Sequence, residues 1–252
     1  EMTSSLVGSE MCIRDRNYRG HKITYGEMFS HAYDYAKSLT LAKKLDEAVN
    51  VIESAKKMKY YNDSKSQLVL LEGQIFAEQN NYDKAVECCN ECIGLEDESG
   101  FDGEARFMLM NLYLTEPDYN KALEQANDII QNGQESLYYF ASLYYRPFCT
   151  KQLGDVETAN ALYKEANSIY RLATLKNPAA VDMYLYRVMC LKDMEKYDEA
   201  LELLEFIENL SDQIAEVYTL RADIYNLSDR KALAKEELDC LLYTSDAADE
   251  AR

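Results

Sequence analysis

One short phrase, repeated at a nearly constant spacing, constrains this chain more than any other feature. It reads Leu45-Asp-Glu-Ala48, Tyr82-Asp-Lys-Ala85, Tyr119-Asn-Lys-Ala122, Val156-Glu-Thr-Ala159 and Tyr197-Asp-Glu-Ala200, with a degraded sixth copy ending at Ala234. The alanines lie 37, 37, 37, 41 and 34 residues apart. A period of this size marks stacked supersecondary units rather than one closed core. Between the phrases apolar residues recur at helical spacing, and strand-like alternation is hard to find. Nine glycines and three prolines in 252 residues leave long stretches uninterrupted. The expected class is all-α, with about six helix-turn-helix units and no strand between them.

The phrases resemble the tetratricopeptide repeat (TPR) family. That family has a 34-residue helix-turn-helix unit with a small residue at its eighth position, an aromatic at its eleventh and an alanine at its twentieth. Taking the repeated alanines as the twentieth position places Ala36, Gly73 and Ala222 at the eighth. It places Phe76, Tyr113 and Tyr225 at the eleventh. The small residue lets two helices approach, and the aromatic fills the gap above it. The resemblance spans nearly all of residues 17–239 and implies a right-handed α-solenoid, each helix pair being too small to be stable alone.

The chain departs from the family pattern in places. The bulky fourth position is Ala32 in the first repeat and Arg106 in the third. Pro147 falls at the eighth position of the fourth, where it removes a hydrogen bond and is expected to kink or break its helix. The 41-residue spacing adds seven residues, close to two helical turns, mostly between Asp155 and about Lys176. Local signals fit this frame. Thr24 with Glu27 reads as a capping box. Asn80-Asn81, Glu116-Pro117-Asp118 and Leu153-Gly154-Asp155 read as turns within repeats, and Asn177-Pro178 as the end of the long helix. The stretch from Glu96 to Gly103, acidic with two glycines, reads as an exposed loop.

The two ends read differently. Ser5 to Arg16 and Cys240 to Glu250 resemble translated transposon-end adapters of sequencing libraries. Met11 to Asp15 can be encoded as ATG TGT ATA AGA GAC, whose reverse complement is GTCTCTTATACACAT. Cys240 to Thr244 can be encoded as TGT CTC TTA TAC ACA, which with one further T contains that string. An adapter-flanked fragment has one inverted repeat at its two ends. The expected organisation is therefore a non-native leader over 1–16, a repeat array over 17–239 and a non-native tail over 240–252.

Charge narrows the partners. The chain has 45 acidic and 27 basic residues. Without six acidic and three basic residues in the two end segments, 39 stand against 24, a net charge near -15. Such a surface repels phosphate backbones, so nucleic acid and anionic membrane surfaces are not expected partners. No apolar run reaches the roughly 18 residues a membrane span needs. Outside the end segments the cysteines are Cys88, Cys89, Cys92, Cys149 and Cys190. An odd, unevenly spaced set does not read as a disulfide framework, and a reducing, cytoplasmic compartment fits better.

No catalytic constellation stands out, and no cofactor is implied. The histidines, His21 and His31, lack neighbours that would make a triad or a metal site. Cys88-Cys89-Asn-Glu-Cys92 contains the Cys-x-x-Cys spacing used for metals and redox chemistry. Yet no second pair completes a zinc site, and Cys89 and Cys92 fall at core positions of a second helix, where free cysteine packs as a small hydrophobe. Carboxylate pairs such as Glu202 and Glu205 read as a solvated face.

A binding role is what the resemblance implies. In TPR stacks the fifth and ninth positions of each first helix point into a groove. Here these are Tyr33 and Lys37, Leu70 and Gln74, Phe107 and Asn111, Tyr144 and Phe148, Leu185 and Met189, and Thr219 and Asp223. The middle of that row is aromatic and apolar, as protein-binding surfaces are. Packing against neighbouring helices is the competing role for the same side chains. A Lys–Asn clamp for a terminal carboxylate is not matched, because Lys37 has no basic companion in the second repeat. The leading expectation is a scaffold or adaptor that binds a peptide or protein segment. The alternatives are the regulatory arm of a larger enzyme and an envelope or secretion assembly factor.

Overall fold

In a computed structural model of the chain, the described residues are 17–18, 21–22, 25–58, 65–95, 101–132, 138–210 and 215–250. Side chains are placed from Glu27 to Leu241 within those ranges. The described residues form twelve helices: α1 (Tyr25–Leu41), α2 (Leu45–Ala55), α3 (Lys65–Glu78), α4 (Tyr82–Gly94), α5 (Phe101–Thr115) and α6 (Tyr119–Asn132), then α7 (Tyr138–Gln152), α8 (Val156–Lys176), α9 (Val181–Asp193), α10 (Tyr197–Leu210), α11 (Ala215–Leu227) and α12 (Lys231–Glu250). The all-α class and the six helix-turn-helix repeats are as expected. One small departure precedes them: Asn17–Tyr18 and His21–Lys22 pair as a two-residue antiparallel ladder, so the segment is not wholly helical. Thr24 of the expected capping box, and the leader over 1–16, lie outside the described residues. Of the loop expected over Glu96–Gly103, residues 96–100 lie outside the described residues, and Phe101 to Gly103 belong instead to the first turn of α5.

The chain divides into two compact modules, Glu1–Glu116 and Pro117–Arg252. Each repeats one packing rule. In the N-terminal module one core joins Phe29, Ala36 and Leu39 of α1 to Ala48 and Ile52 of α2 and to Leu68, Leu71 and Ile75 of α3. A second joins Val69 and Leu70 of α3 to Cys88 and Cys92 of α4 and Ala105 of α5. In the C-terminal module Leu143 and Tyr144 of α7 meet Tyr163, Ala166 and Tyr170 of α8 and Cys190 of α9. Tyr184 and Val188 of α9 likewise meet Leu204 and Ile207 of α10 and Val217 and Ile224 of α11. A helix pair is thus closed by the first helix of the next repeat, which is why a pair alone cannot bury its apolar faces.

The repeated alanines occupy one equivalent buried position in each repeat. Ala48, Ala85, Ala122, Ala159, Ala200 and Ala234 are all buried. Each donates its N–H to the carbonyl four residues earlier, at 3.0 to 3.2 Å, so all six copies stand in one register. Opposite Ala85, a Cβ added at Gly73 would lie 3.0 Å from Cys88 Cβ. That distance explains why the small residue is there.

The turns inside the repeats are also copies of one another. In five of them a residue in the left-handed region ends the first helix: Lys43 (φ 57°), Asn80 (57°), Gly154 (95°), Glu195 (61°) and Asp229 (59°). The following N–H returns to a carbonyl five residues back, as from Asn81 to Phe76 at 2.8 Å and from Lys196 to Leu191 at 2.9 Å. This closure satisfies carbonyls the helix end leaves open. In the third repeat the corresponding residue is Pro117, whose ring forbids a positive φ. There Asp118 Oδ1 instead accepts the Lys121 N–H at 3.2 Å, capping α6. A side chain at a left-handed position is strained, so Glu195→Gly is expected to raise stability by about 0.5–1 kcal/mol. A higher urea midpoint with unchanged slope is the expected result; a lower midpoint would mean the turn is unstrained.

Two further expectations meet the structure differently. Pro147 does not break its helix: α7 runs unbroken from Tyr138 to Gln152 with Pro147 buried inside it. The ring still removes one backbone bond, and the packing of α7 between α6, α8 and α9 holds the helix together across it. The long helix behaves as expected. Asp155 Oδ1 accepts the Thr158 N–H at 3.1 Å to start α8, and the backbone turns extended at Asn177 to end it. α8 keeps one face in phase over its extra turns, burying Ala159, Tyr163, Ala166, Tyr170 and Thr174 in turn.

Candidate functional site

Within each module the first helices of successive repeats lie side by side. In the N-terminal module α3 touches both α1 and α5, and in the C-terminal module α9 touches both α7 and α11. The positions expected to bind therefore gather on helices that adjoin within each module.

In the N-terminal module Lys37 is exposed, and Tyr33, Phe107 and Asn111 are half-buried. Gln74 is half-buried too, and its Nε2 donates to Glu104 Oε1 at 3.1 Å, tying α3 to α5. Leu70 departs from the expectation. It is 2% exposed and belongs to the core shared by α3, α4 and α5, so it offers no surface to a partner.

In the C-terminal module Phe148, Leu185 and Met189 are half-buried, and Thr219 and Asp223 are exposed. Tyr144 is the second departure: it is 5% exposed, and its hydroxyl has a structural partner. It donates to Asp193 Oδ2 at 2.8 Å, and Tyr163 of α8 donates to the same oxygen at 2.9 Å. Lys151 Nζ donates to the Asp193 carbonyl at 2.6 Å. The last residue of α9 thereby holds α7 and α8. Burial first, and the charge of Asp193 second, push the phenols of Tyr144 and Tyr163 well above the usual tyrosine range. Tyr170 of α8 closes the network by donating to the Phe140 carbonyl at 2.6 Å.

Around this network stand the rings that do reach the surface. Tyr144 stacks on Phe148 with centroids 6.1 Å apart and lies 6.4 Å from Tyr186. Tyr186 stacks on Tyr170 at 5.3 Å and 16°. Tyr145 meets Tyr144 edge-on at 5.3 Å. Tyr145, Phe148, Tyr186 and Met189 are half-buried, backed by rings fixed from beneath. Sequence reasoning placed Phe148 and Met189 here but missed Tyr145 and Tyr186, which sit one position after the fifth in their repeats. Their spacing, i+3 before Phe148 and Met189, was the signal that would have found them.

The other candidates are accounted for by packing and solvation. Cys88, Cys89 and Cys92 are buried, and Cys92 Sγ donates to the Ser66 carbonyl at 3.6 Å. Burial pushes the Cys88 and Cys89 thiols up to about 12, with the charge of Glu72 adding to the first and the neighbouring thiols to the second. A thiol so placed is a poor nucleophile or ligand at neutral pH. His31 is exposed on α1. Glu202 and Glu205 line an open cleft of about 730 Å³ with Asp198, Leu201, Glu208, Tyr225 and Glu237. Arg221, which also lines it, bonds Glu208 at 2.6 Å and Glu237 at 3.2 Å, so the acidic face is partly neutralised from within. No helix among the described residues is long and apolar enough to cross a membrane.

No family model matches the sequence, and no curated protein matches it. Solved structures do match. A thermophilic TPR protein of Thermus thermophilus is 20% identical, over 71% of this chain and 90% of that one, with a TM-score of 0.55. A putative kinesin light chain of Podospora anserina, built of nearly identical TPR-like repeats, is 15% identical over 75% of this chain and 96% of that one, with a TM-score of 0.57. With identities this low the likeness is one of architecture, and it agrees with the alanine register and the repeated turns: the chain has the fold of the tetratricopeptide repeat proteins.

Proposed function

We propose that the chain is a protein-interaction scaffold, and that its layer of first helices receives a peptide or protein segment of another molecule. The observation that carries this reading is the C-terminal face where Phe148 and Met189 stand half-buried beside Tyr145 and Tyr186, with half-buried Leu185 one turn before Met189 on α9. Partly exposed aromatic and thioether side chains on a rigid backing make good anchors, because little side-chain freedom is lost when a partner covers them. The fixed rings beneath supply the rigidity. Nothing in the geometry of the described residues calls for a chemical step. The strong negative charge of the chain disfavours nucleic acid as the partner.

The test is selection of peptides from a displayed library on the full chain, followed by calorimetry with Phe148→Ala, Met189→Ala. Selected peptides should bind the variant more weakly by more than about 1 kcal/mol, as they do when anchors are lost. Helicity and melting should change little. Equal binding to parent and variant would place the partner elsewhere.

A further inference from the structure

The charges around the same C-terminal face are unevenly satisfied. Both lysines on it are engaged: Lys192 with Asp223 across α9 and α11 at 3.5 Å, and Lys151 with the Asp193 carbonyl. Two carboxylates are not. Asp182 and Glu216 stand exposed in the first turns of α9 and α11, and neither forms an ion pair among the described residues. Each shares a helix face with the site residues that follow it. Asp182 precedes Leu185, Tyr186 and Met189 by three, four and seven residues, and Glu216 precedes Thr219 and Asp223 by three and seven. Asp182 also contributes, after burial and Tyr145, to the upward shift of the Tyr186 phenol one turn along the same helix. First-turn carboxylates favour their own helices. What sets these two apart is that equivalent ends of adjoining helices carry them, at one edge of an apolar strip, while Lys151 and Lys192 are already engaged.

Resting on the reading of this face as a binding surface, we infer that its partner is a basic segment: apolar side chains seated on Phe148, Leu185 and Met189, with lysine or arginine beyond them over Asp182 and Glu216. Charge complementarity across an interface sets which partners are accepted and how fast they arrive. An acidic segment would meet both free carboxylates and the net charge of -18.

The experiment uses the full chain and three synthetic peptides with one pattern of leucine and phenylalanine. They end in a run of lysines, of glutamines or of glutamates, and binding is followed by fluorescence anisotropy. The lysine peptide should bind most tightly and the glutamate peptide least. Asp182→Lys with Glu216→Lys should weaken the lysine peptide about tenfold and strengthen the glutamate peptide. Glu157→Lys with Glu236→Lys makes the same change of net charge on exposed parts of α8 and α12, and should leave both peptides within about twofold. Equal effects of the two pairs would show only attraction to overall charge and would overturn the inference. So would a glutamine peptide that binds as tightly as the lysine one yet is lost with Met189→Ala; that outcome would leave the binding surface standing. If Met189→Ala weakens none of the peptides, the surface itself is misassigned.

Discussion

Replacing Asp193 with alanine is expected to lower the stability of the C-terminal module by about 3 kcal/mol, because two buried phenols lose a shared charged acceptor at once. Tyr144 and Tyr163 reach Asp193 Oδ2 from different helices, and both are buried away from any substitute. Asp193→Asn keeps an acceptor oxygen, so its cost should be nearer about 1 kcal/mol. Urea unfolding followed by circular dichroism gives both values. A second readout isolates the charge. Since Asp193 adds to burial in raising the two phenols, Asp193→Asn should let them ionise at lower pH in an alkaline absorbance titration. If Asp193→Ala melts like the parent, the network is ornamental and Tyr144 is held by packing alone.

The second large effect lies in the N-terminal module. Lys56, at the end of α2, donates to Glu72 Oε1 of α3 at 2.6 Å and to Glu53 Oε1 at 2.9 Å. The Glu72 side chain is only 9% exposed and that of Lys56 26%. Lys56→Met leaves a carboxylate among apolar neighbours with only the Cys88 thiol, 4.0 Å away, to answer it. The expected cost is about 2–3 kcal/mol, below the usual figure for a fully buried pair because water still reaches Lys56. Lys56→Met with Glu72→Leu should cost less than the single change, since no charge is then stranded. A double variant weaker than the single one would refute this. Burial works against the Lys56 charge, but the bonds to Glu72 and Glu53 outweigh it and raise its pKa. A raised lysine stabilises at every pH below its unfolded value of 10.5 and loses that effect only as the pH climbs through the raised value. The pair should therefore hold from neutral into mildly alkaline solution.

The alanine phrase made the repeat register legible because only a small residue fits where two helices cross, and such a need leaves a trace at fixed spacing. The same holds for Gly73. The faces of the first helices were less legible. An aromatic at the fifth position suits both a surface and a core, and the choice for Tyr144 is made by Asp193, 49 residues away. Nothing local announces such a partner. Glu72 is a parallel case: a charged residue on an amphipathic helix reads as solvated until the Lys56 side chain is placed over it. Pro147 stays within an unbroken α7 for a related reason. Its cost to the helix is local and calculable, whereas the packing that outweighs it comes from three other helices.

Within each module, every pair of described helices in contact is consecutive in the chain or separated by one helix. Such wiring has low contact order, so little loop-closure entropy stands between the unfolded chain and its first native contacts. Each module should fold at the fast, helical end of the range for its size, without a slow search for distant partners. It also suits vectorial folding during synthesis. A helix pair emerging from the ribosome need wait only for the next first helix before its core is closed. Residues still to be translated beyond that helix are not required.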